Sequence, residues 1–383
     1  ARLESLRFIV SNTTEAGIVL DETDRFELCP PNTYPGKLCK FLYERAQCFD
    51  YAPDKGLVIL PVELIDDNGA ELKRCVKALA RLWQLGSAFE RWLDEACVFT
   101  STLVDRIVTG YPRDEEERQA LWNRLGYEDH LLVTGEPFAL WVIESPRDLS
   151  EELPLPACGL PVIFTDHQKP YKQRKVRILN GAHTSFVPAA FQCGYDYVLD
   201  AMHDPMIRAF IHRTLYEEVI PTLSLPKDEL TAFAEAVIGR FENPFIRHAL
   251  LSICLNSVSK WRARCLPSLV GYMEKNGTLP SCLTFSLASL MALYHGGHLE
   301  EGRLICDRDG KPYALQDDEA VLRFFAEGSQ RPARELVHDF LSRESFFGQD
   351  LTRIPGLEDS VCGSYEAILA RGMRAVMTES FGG

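Results

Sequence analysis

The densest run of reactive side chains is Lys169-Pro170-Tyr171-Lys172-Gln173-Arg174-Lys175-Val176-Arg177-Ile178-Leu179-Asn180-Gly181-Ala182-His183-Thr184. Five of its cations fall within nine residues, in a 383-residue chain whose 55 acidic residues outnumber 41 basic ones and leave a net charge of −14. Crowded like charges lower a lysine's pKa and make it usable near neutral pH, so Lys175 is a candidate general acid/base. Asn180 is a neutral donor suited to a carbonyl oxygen that becomes an alkoxide. His183 can fix a substrate hydroxyl. On α-helical spacing Lys175 shares a side with Ile178 or Leu179, and Asn180 shares another with His183 or Thr184. Taken alone, the run fits a solvated basic face at a domain boundary better than a site, and Asn180-Gly181 is a turn signal.

Other reactive types point to less. His295-Gly296-Gly297-His298, with Glu300 beyond, has the residue types of a metal pair, but the glycines mark a loop and no metal is expected. The twelve cysteines show no CxxC spacing, so they read as reduced, mostly buried thiols of a cytoplasmic protein. Asp105-Arg106 is either a functional pair or a structural ion pair. Glu15, in the polar loop Ser11–Gly17, either meets a ligand or caps a turn. The acidic balance disfavours nucleic acid as a partner, and no apolar run reaches the roughly 20 residues of a membrane helix. A secretory signal is not apparent at the start of the sequence given.

The elements that must position these residues divide the chain in two. Residues 1–166 alternate strand and helix: strand 6–10, helix 36–46, an apolar strand-like run over 56–65, helices near 70–85 and 89–95, and strands within 137–144 and 160–166. This alternation predicts a parallel, doubly wound α/β sheet. The strand that runs into Ser11–Gly17 suits a nucleotide-binding edge, yet no GxGxxG precedes it, so the first Gly-rich turn is expected to be lacking from this chain. From 167 to 383 the text turns helical. Asp204-Pro205, Pro226 and Pro244 each open a helix, others follow near 281–294, 317–326, 332–342 and 359–378, and an all-α domain is predicted.

KxRxLNxxH over Lys175–His183 resembles the signature of the polyol-specific long-chain dehydrogenases, the mannitol dehydrogenase family. The blocks SNTTEAGI (11–18), LVDRIVTGYPRD (103–114), KPYKQRKVRILNGAHT (169–184), RFENPFIRH (240–248) and QDLTRIPGL (349–357) extend the resemblance, in order, over nearly the whole chain, and are most similar to the branch that acts on sugar acids. The resemblance implies a Rossmann-type domain, a mostly helical domain and hydride transfer with NAD(H), on a small sugar acid and without metal. It places the catalytic lysine on Lys175, the oxyanion donor on Asn180 and a substrate-binding histidine on His183. Asp105, with Val104 before it, falls near nicotinamide and substrate, and a substrate-contacting lysine falls on Lys260. Asn12, Thr13, Thr14 and Glu15 fall on the cofactor side.

Two positions depart from the mannitol-type pattern. Leu64, in Glu63-Leu64-Ile65-Asp66-Asp67-Asn68-Gly69, replaces an asparagine that serves as second oxyanion donor, and Ser252 replaces an arginine. A neutral polyol is therefore a less suitable substrate than a uronate, whose carboxylate calls for a cation; Arg247, His248, Lys172 and Arg177 are candidates. The alternatives are a different keto-uronate, a neutral polyol, or a non-catalytic binding protein.

Overall fold

The computed structural model describes residues 1–382 except Glu15, Arg113 and Ser329, together with the backbone but not the side chain of Thr109. Glu15, a predicted cofactor residue, therefore lies outside the described residues. The chain forms two compact units, Ala1–Lys169 and Pro170–Gly383.

In the first unit, strands Phe8–Ser11, Val58–Pro61 and Val98–Phe99 pair in parallel in that order, Phe8 opposite Val58 and Val58 opposite Val98. All four residues of Val58–Pro61 are buried, as a strand covered on both faces requires. The apolar run continues to Ile65, but the strand stops at Pro61. Beyond it the chain turns, and Asp67 takes a left-handed conformation (φ 49°) to start helix Asn68–Leu82. Helices Tyr34–Cys48, Asn68–Leu82 and Ser87–Glu95 bury Leu42, Leu72, Val76, Leu79 and Phe89 in one core with Leu57 and Ile59. The first helix is capped by Thr33, whose hydroxyl accepts from Gly36 N at 3.1 Å. Val58 and Leu60, alternating with Leu57 and Ile59, meet Ile143 and Leu149 in a second core.

The expectation of a wholly parallel sheet is corrected by the next three strands. Ser101–Asp105 runs antiparallel to Leu140–Glu144, which is parallel to Val162–Thr165. The cause is the text between: a short antiparallel ribbon, Val108–Gly110 with Thr134–Gly135, and helix Glu115–Leu125 return the chain in the opposite sense. That helix buries none of its residues, so it leaves no hydrophobic periodicity to read.

The second unit is largely helical, with Gly181–Gln192 and Ser281–Tyr294 as its most buried helices. It is not all-α. Strands His298–Glu300, Arg303–Arg308 and Lys311–Leu315 form an antiparallel sheet. Its two tight turns, Glu301-Gly302 and Asp309-Gly310, hold all four residues at positive φ, as two-residue hairpins of this hand demand. A second correction concerns Pro244, which does not open a helix. Residues 243–248 form a loop, and helices Leu250–Ile253, Ser257–Arg264 and Leu266–Asn276 follow, with Asn256 at φ 53° between the first two. The last predicted helix is two, Leu357–Arg371 and Met373–Phe381, separated by Gly372 at φ 82°. Eight of the twelve free cysteines are buried.

Candidate active site

In the first unit, the carboxyl end of strand Phe8–Ser11 opens into the polar loop, where Asn12, Thr13 and Thr14 are exposed. The buried Glu63 carboxylate organises this loop: Oε1 accepts from Thr13 N (3.0 Å) and Thr13 Oγ1 (2.8 Å), and Oε2 from Ser11 Oγ (3.1 Å). The Thr13 hydroxyl is thus engaged inward. Asn68 looked like part of a substrate motif but is a fully buried clasp. Its Nδ2 donates to the carbonyls of Pro61 and Glu63 (3.0 Å each) and Thr102 (2.9 Å), while Oδ1 accepts from Gly69 N and Thr102 N (2.9 Å each). A Cβ on Gly69 would lie 1.9 Å from the Thr100 carbonyl oxygen, which explains the glycine beside that asparagine. Leu64 points to solvent, 56% exposed.

The clasp holds strand Ser101–Asp105, which ends on the buried Asp105. Arg106, suspected of a structural ion pair with Asp105, donates Nε to the Glu136 carbonyl at 3.1 Å. Val104 lines an apolar cavity of about 440 Å³ with Val10, Val62 and Trp141 among its neighbours.

The basic run, which but for Lys169 belongs to the second unit, is helical from Lys169, but it is not α-helical throughout. Lys169–Arg174 is α, Lys175–Asn180 is π, and Gly181–Gln192 is α again. Gly181 N donates to the Val176 carbonyl, five residues back. The wider turn changes the phase. On α spacing Lys175 and Asn180 lie on different sides; a π turn, with its i to i+5 repeat, brings those two positions toward one face. The predicted separation of Lys175 from Asn180 is corrected accordingly, whereas Asn180 and Thr184 stay together as predicted, the Thr184 hydroxyl donating to the Asn180 carbonyl. Asn180-Gly181 is no turn: a Cβ at Gly181 would lie 3.2 Å from the Arg264 carbonyl oxygen, so glycine admits a close approach to the next helix.

Nor is the run a solvated basic face. Of the five cations only Lys169 is exposed. Arg174 is buried, paired with Glu229, and its guanidinium lies 5.2 Å from the Tyr171 ring centre and 4.4 Å from that of Phe233. Burial lowers the pKa of Lys172 and Arg177.

His183 follows one turn later. Its ring centre lies 4.2 Å from that of Phe241 and 5.4 Å from that of His248, edge to face. Burial holds its pKa well below 6.5, reinforced by the charges of His248, Arg264, Arg240 and Lys260, so the ring is neutral at pH 7. Its Nε2 is buried with no hydrogen-bond partner among the described residues, an orphan that calls for a ligand. Burial and Lys260 also lower His248. Lys260 Nζ donates to the Ile253 carbonyl at 2.9 Å, and its pKa is lowered by burial, then by Arg264. Arg264 Nη1 donates to Thr184 Oγ1 at 3.3 Å, and Thr184 in turn donates to the Asn180 carbonyl at 2.9 Å.

The structure therefore brings His183, His248 and Lys260 together, with Asn180 linked through Thr184. Arg247 points elsewhere, exposed and 4.6 Å from the Tyr197 ring centre. Ser252, where the mannitol-type pattern has arginine, donates to the Ala249 carbonyl at 2.7 Å. Arg264 escaped the sequence reading because it lies outside every recognisable block; only its i to i+4 spacing from Lys260 hinted at it.

The family model described as the mannitol dehydrogenase Rossmann domain matches residues 3–156, and that of the mannitol dehydrogenase C-terminal domain matches residues 167–369. The chain belongs to the mannitol dehydrogenase family. It is a dehydrogenase acting on CH–OH groups. Altronate oxidoreductase of Klebsiella pneumoniae (strain 342) is 50% identical over 375 residues, 96% of this chain and 75% of that one. Altronate oxidoreductase of Yersinia pestis is 48% identical over 383 residues, 98% and 77% of the two chains. Among solved structures, D-sorbitol dehydrogenase in substrate-free form superposes with a TM-score of 0.77 at 21% identity, covering 97% of this chain and 74% of that one. Pseudomonas fluorescens mannitol 2-dehydrogenase, in a ternary complex with NAD and D-mannitol, gives 0.66 at 22% identity, with 98% and 74% covered. These likenesses carry the fold of the mannitol dehydrogenase family member described here.

Neither histidine of the glycine pair belongs to a metal cluster among the described residues. His295 Nδ1 meets Tyr365 Oη at 2.9 Å, whereas His298 Nε2 is 3.7 Å from Glu300.

Proposed function

We propose that this dehydrogenase interconverts D-tagaturonate and D-altronate with NAD(H). The observation that carries the reading is the half-buried electropositive cluster around neutral His183: Lys260 and Arg264 make no ion pair with a carboxylate among the described residues. An anionic substrate offsets the cost of holding such cations away from water, and a neutral polyol does not. The altronate oxidoreductases at about 50% identity favour this substrate pair. D-fructuronate is the nearest alternative, since the same cluster serves either keto-uronate.

The first unit fits a dinucleotide. Its polar loop Ser11–Gly17 stands at the carboxyl end of a parallel strand, with Asn12 and Thr14 exposed toward a ligand, and Val104 offers an apolar surface. The bound nicotinamide supplies the hydride. Lys175, as ammonium, donates a proton to the carbonyl oxygen of the substrate as that oxygen gains charge, and recovers it from solvent; in oxidation the neutral amine takes the hydroxyl proton. The Asn180 amide donates to the same oxygen. His183 Nε2 takes a substrate hydroxyl, filling its missing hydrogen bond. The buried Asp105 ends strand Ser101–Asp105 in the unit assigned to the cofactor. The twelve unpaired thiols suit a reducing compartment such as the cytoplasm.

The test is NADH oxidation by the purified protein with D-tagaturonate, D-fructuronate and D-fructose. The proposal expects the highest kcat/KM with D-tagaturonate. Preference for fructose would overturn the acid reading.

A further inference from the structure

We infer that Arg264, at the end of helix Ser257–Arg264, holds the carboxylate of the sugar acid and so sets the enzyme's preference for an anionic substrate. The inference deepens the proposed function and rests on it.

A guanidinium carries five N–H donors in a planar fork that matches a carboxylate bidentately. Among the described residues the Arg264 guanidinium makes a single hydrogen bond, to Thr184 Oγ1, at the long distance of 3.3 Å. No aspartate or glutamate pairs with it among the described residues, although the residue is half-buried. Other arginines withdrawn from solvent in the same unit are treated differently. Arg174 is paired with Glu229. Arg308 meets Asp196 Oδ1 at 2.6 Å and the carbonyls of Phe191 and Tyr195 at 2.9 Å each. Against that background, a half-buried guanidinium with most of its donors unused is a site waiting for an anion.

The neighbours define which anion. Lys260 lies one helical turn earlier, and His183 and His248 are the rings beside it. Asp317, the acid nearest in influence to Lys260, is already engaged, accepting from Tyr294 Oη at 2.6 Å and Val258 N at 3.2 Å. Thr184 bridges Arg264 to the Asn180 carbonyl, so the fork sits one side chain away from the helix that carries the reacting groups. The fork calls for an anion, and the orphaned His183 Nε2 for a hydroxyl. A polyhydroxylated monocarboxylate satisfies both, with its hydroxyl on His183 and its carboxylate on the fork.

Arg177 is a second half-buried guanidinium with no carboxylate partner among the described residues, and burial lowers its pKa. Arg264, by contrast, is tied through the Thr184 hydroxyl to the turn that carries Asn180 and His183.

The experiment compares Arg264→Gln, Arg264→Lys and Arg177→Gln with wild type, in steady-state kinetics on D-tagaturonate and D-fructose and in NADH binding by fluorescence. Truncating one partner of a desolvated charge-assisted pair raises KM for the keto-uronate about 10²-fold in Arg264→Gln, with kcat falling much less. Arg264→Lys, which keeps charge and bulk but loses the fork, recovers part of that loss. The ratio of tagaturonate to fructose kcat/KM collapses in Arg264→Gln and not in Arg177→Gln. Three outcomes overturn the inference: a ratio unchanged within threefold in the Arg264 variants, collapse of the ratio in Arg177→Gln alone, or loss of NADH affinity in Arg264→Gln at unchanged KM for the keto-uronate. Wild type is the separate check on the proposed function. If it prefers fructose, that reading fails whatever the variants do; if it prefers the acid while the variants keep the preference, only the role of Arg264 fails.

Discussion

Replacing Asn68 by alanine and by aspartate should separate a structural clasp from a substrate donor. The side chain is fully buried and makes five hydrogen bonds, three from Nδ2 and two to Oδ1. They tie the end of strand Val58–Pro61 to the start of helix Asn68–Leu82 and to Thr102 on the next strand. Alanine removes all of them. Two carbonyls keep another donor, that of Pro61 the Thr102 hydroxyl and that of Glu63 the Ile65 N–H. The other groups are left without this partner at a cost of about 1–3 kcal/mol for each that stays buried, so Asn68→Ala should lose roughly 3–5 kcal/mol. For a unit of this size about 2–4 °C per kcal/mol gives a Tm lower by about 10 °C. Asn68→Asp is nearly isosteric but sets a carboxylate against three carbonyl oxygens and removes every donor, so it should be the less stable of the two. Urea unfolding with a fixed m-value, alongside the Tm, reads both. If both variants keep wild-type stability while kcat falls, Asn68 is a catalytic donor and the clasp argument is wrong.

Lys175→Ala should lower kcat by about 10² to 10⁴ and recover partly with an added primary amine; a near-normal kcat across pH would remove Lys175 from proton transfer. Asn180→Ala should cut kcat by about 10² or more, and an effect confined to KM would make it a binding group only. His183 and His248 both have folded pKa values below 6.5, so the unfolded chain binds more protons as pH falls through that value. Stability should therefore decrease below about pH 6.5, and His248→Asn should flatten the fall in urea midpoint between pH 7.5 and 5.5. An unchanged slope in that variant would show that His248 does not contribute.

Much of this was written locally in the chain. Buried strand Val58–Pro61, capped helix Tyr34–Cys48 and helix Ser281–Tyr294 follow from apolar runs and caps that need no tertiary context. The losses share a cause: where tertiary contacts decide, local text is silent or misleading. Helix Glu115–Leu125 buries nothing and carries no period. The sheet around Cys306 buries only alternate residues of a charged strand, Arg303–Arg308, and its Asp309-Gly310 turn was the missed signal. The π turn at Lys175–Asn180 cannot be read from α spacing, although it is what aligns the two residues the sequence singled out. Reactive residue types were legible; their partners were not. Arg174 and Arg177 look alike in the text, yet one is locked to Glu229 and the other is not. Arg264, remote from every motif, needed the fold to bring it to Thr184.

The most direct measurement is to follow deuteride from the nicotinamide C4 position of labelled NADH into product, with D-tagaturonate as acceptor and NMR as readout. The account predicts D-altronate carrying deuterium on the former keto carbon, with NAD⁺ formed in equal amount. No labelled altronate, with deuterium entering a neutral hexitol from D-fructose instead, would contradict it.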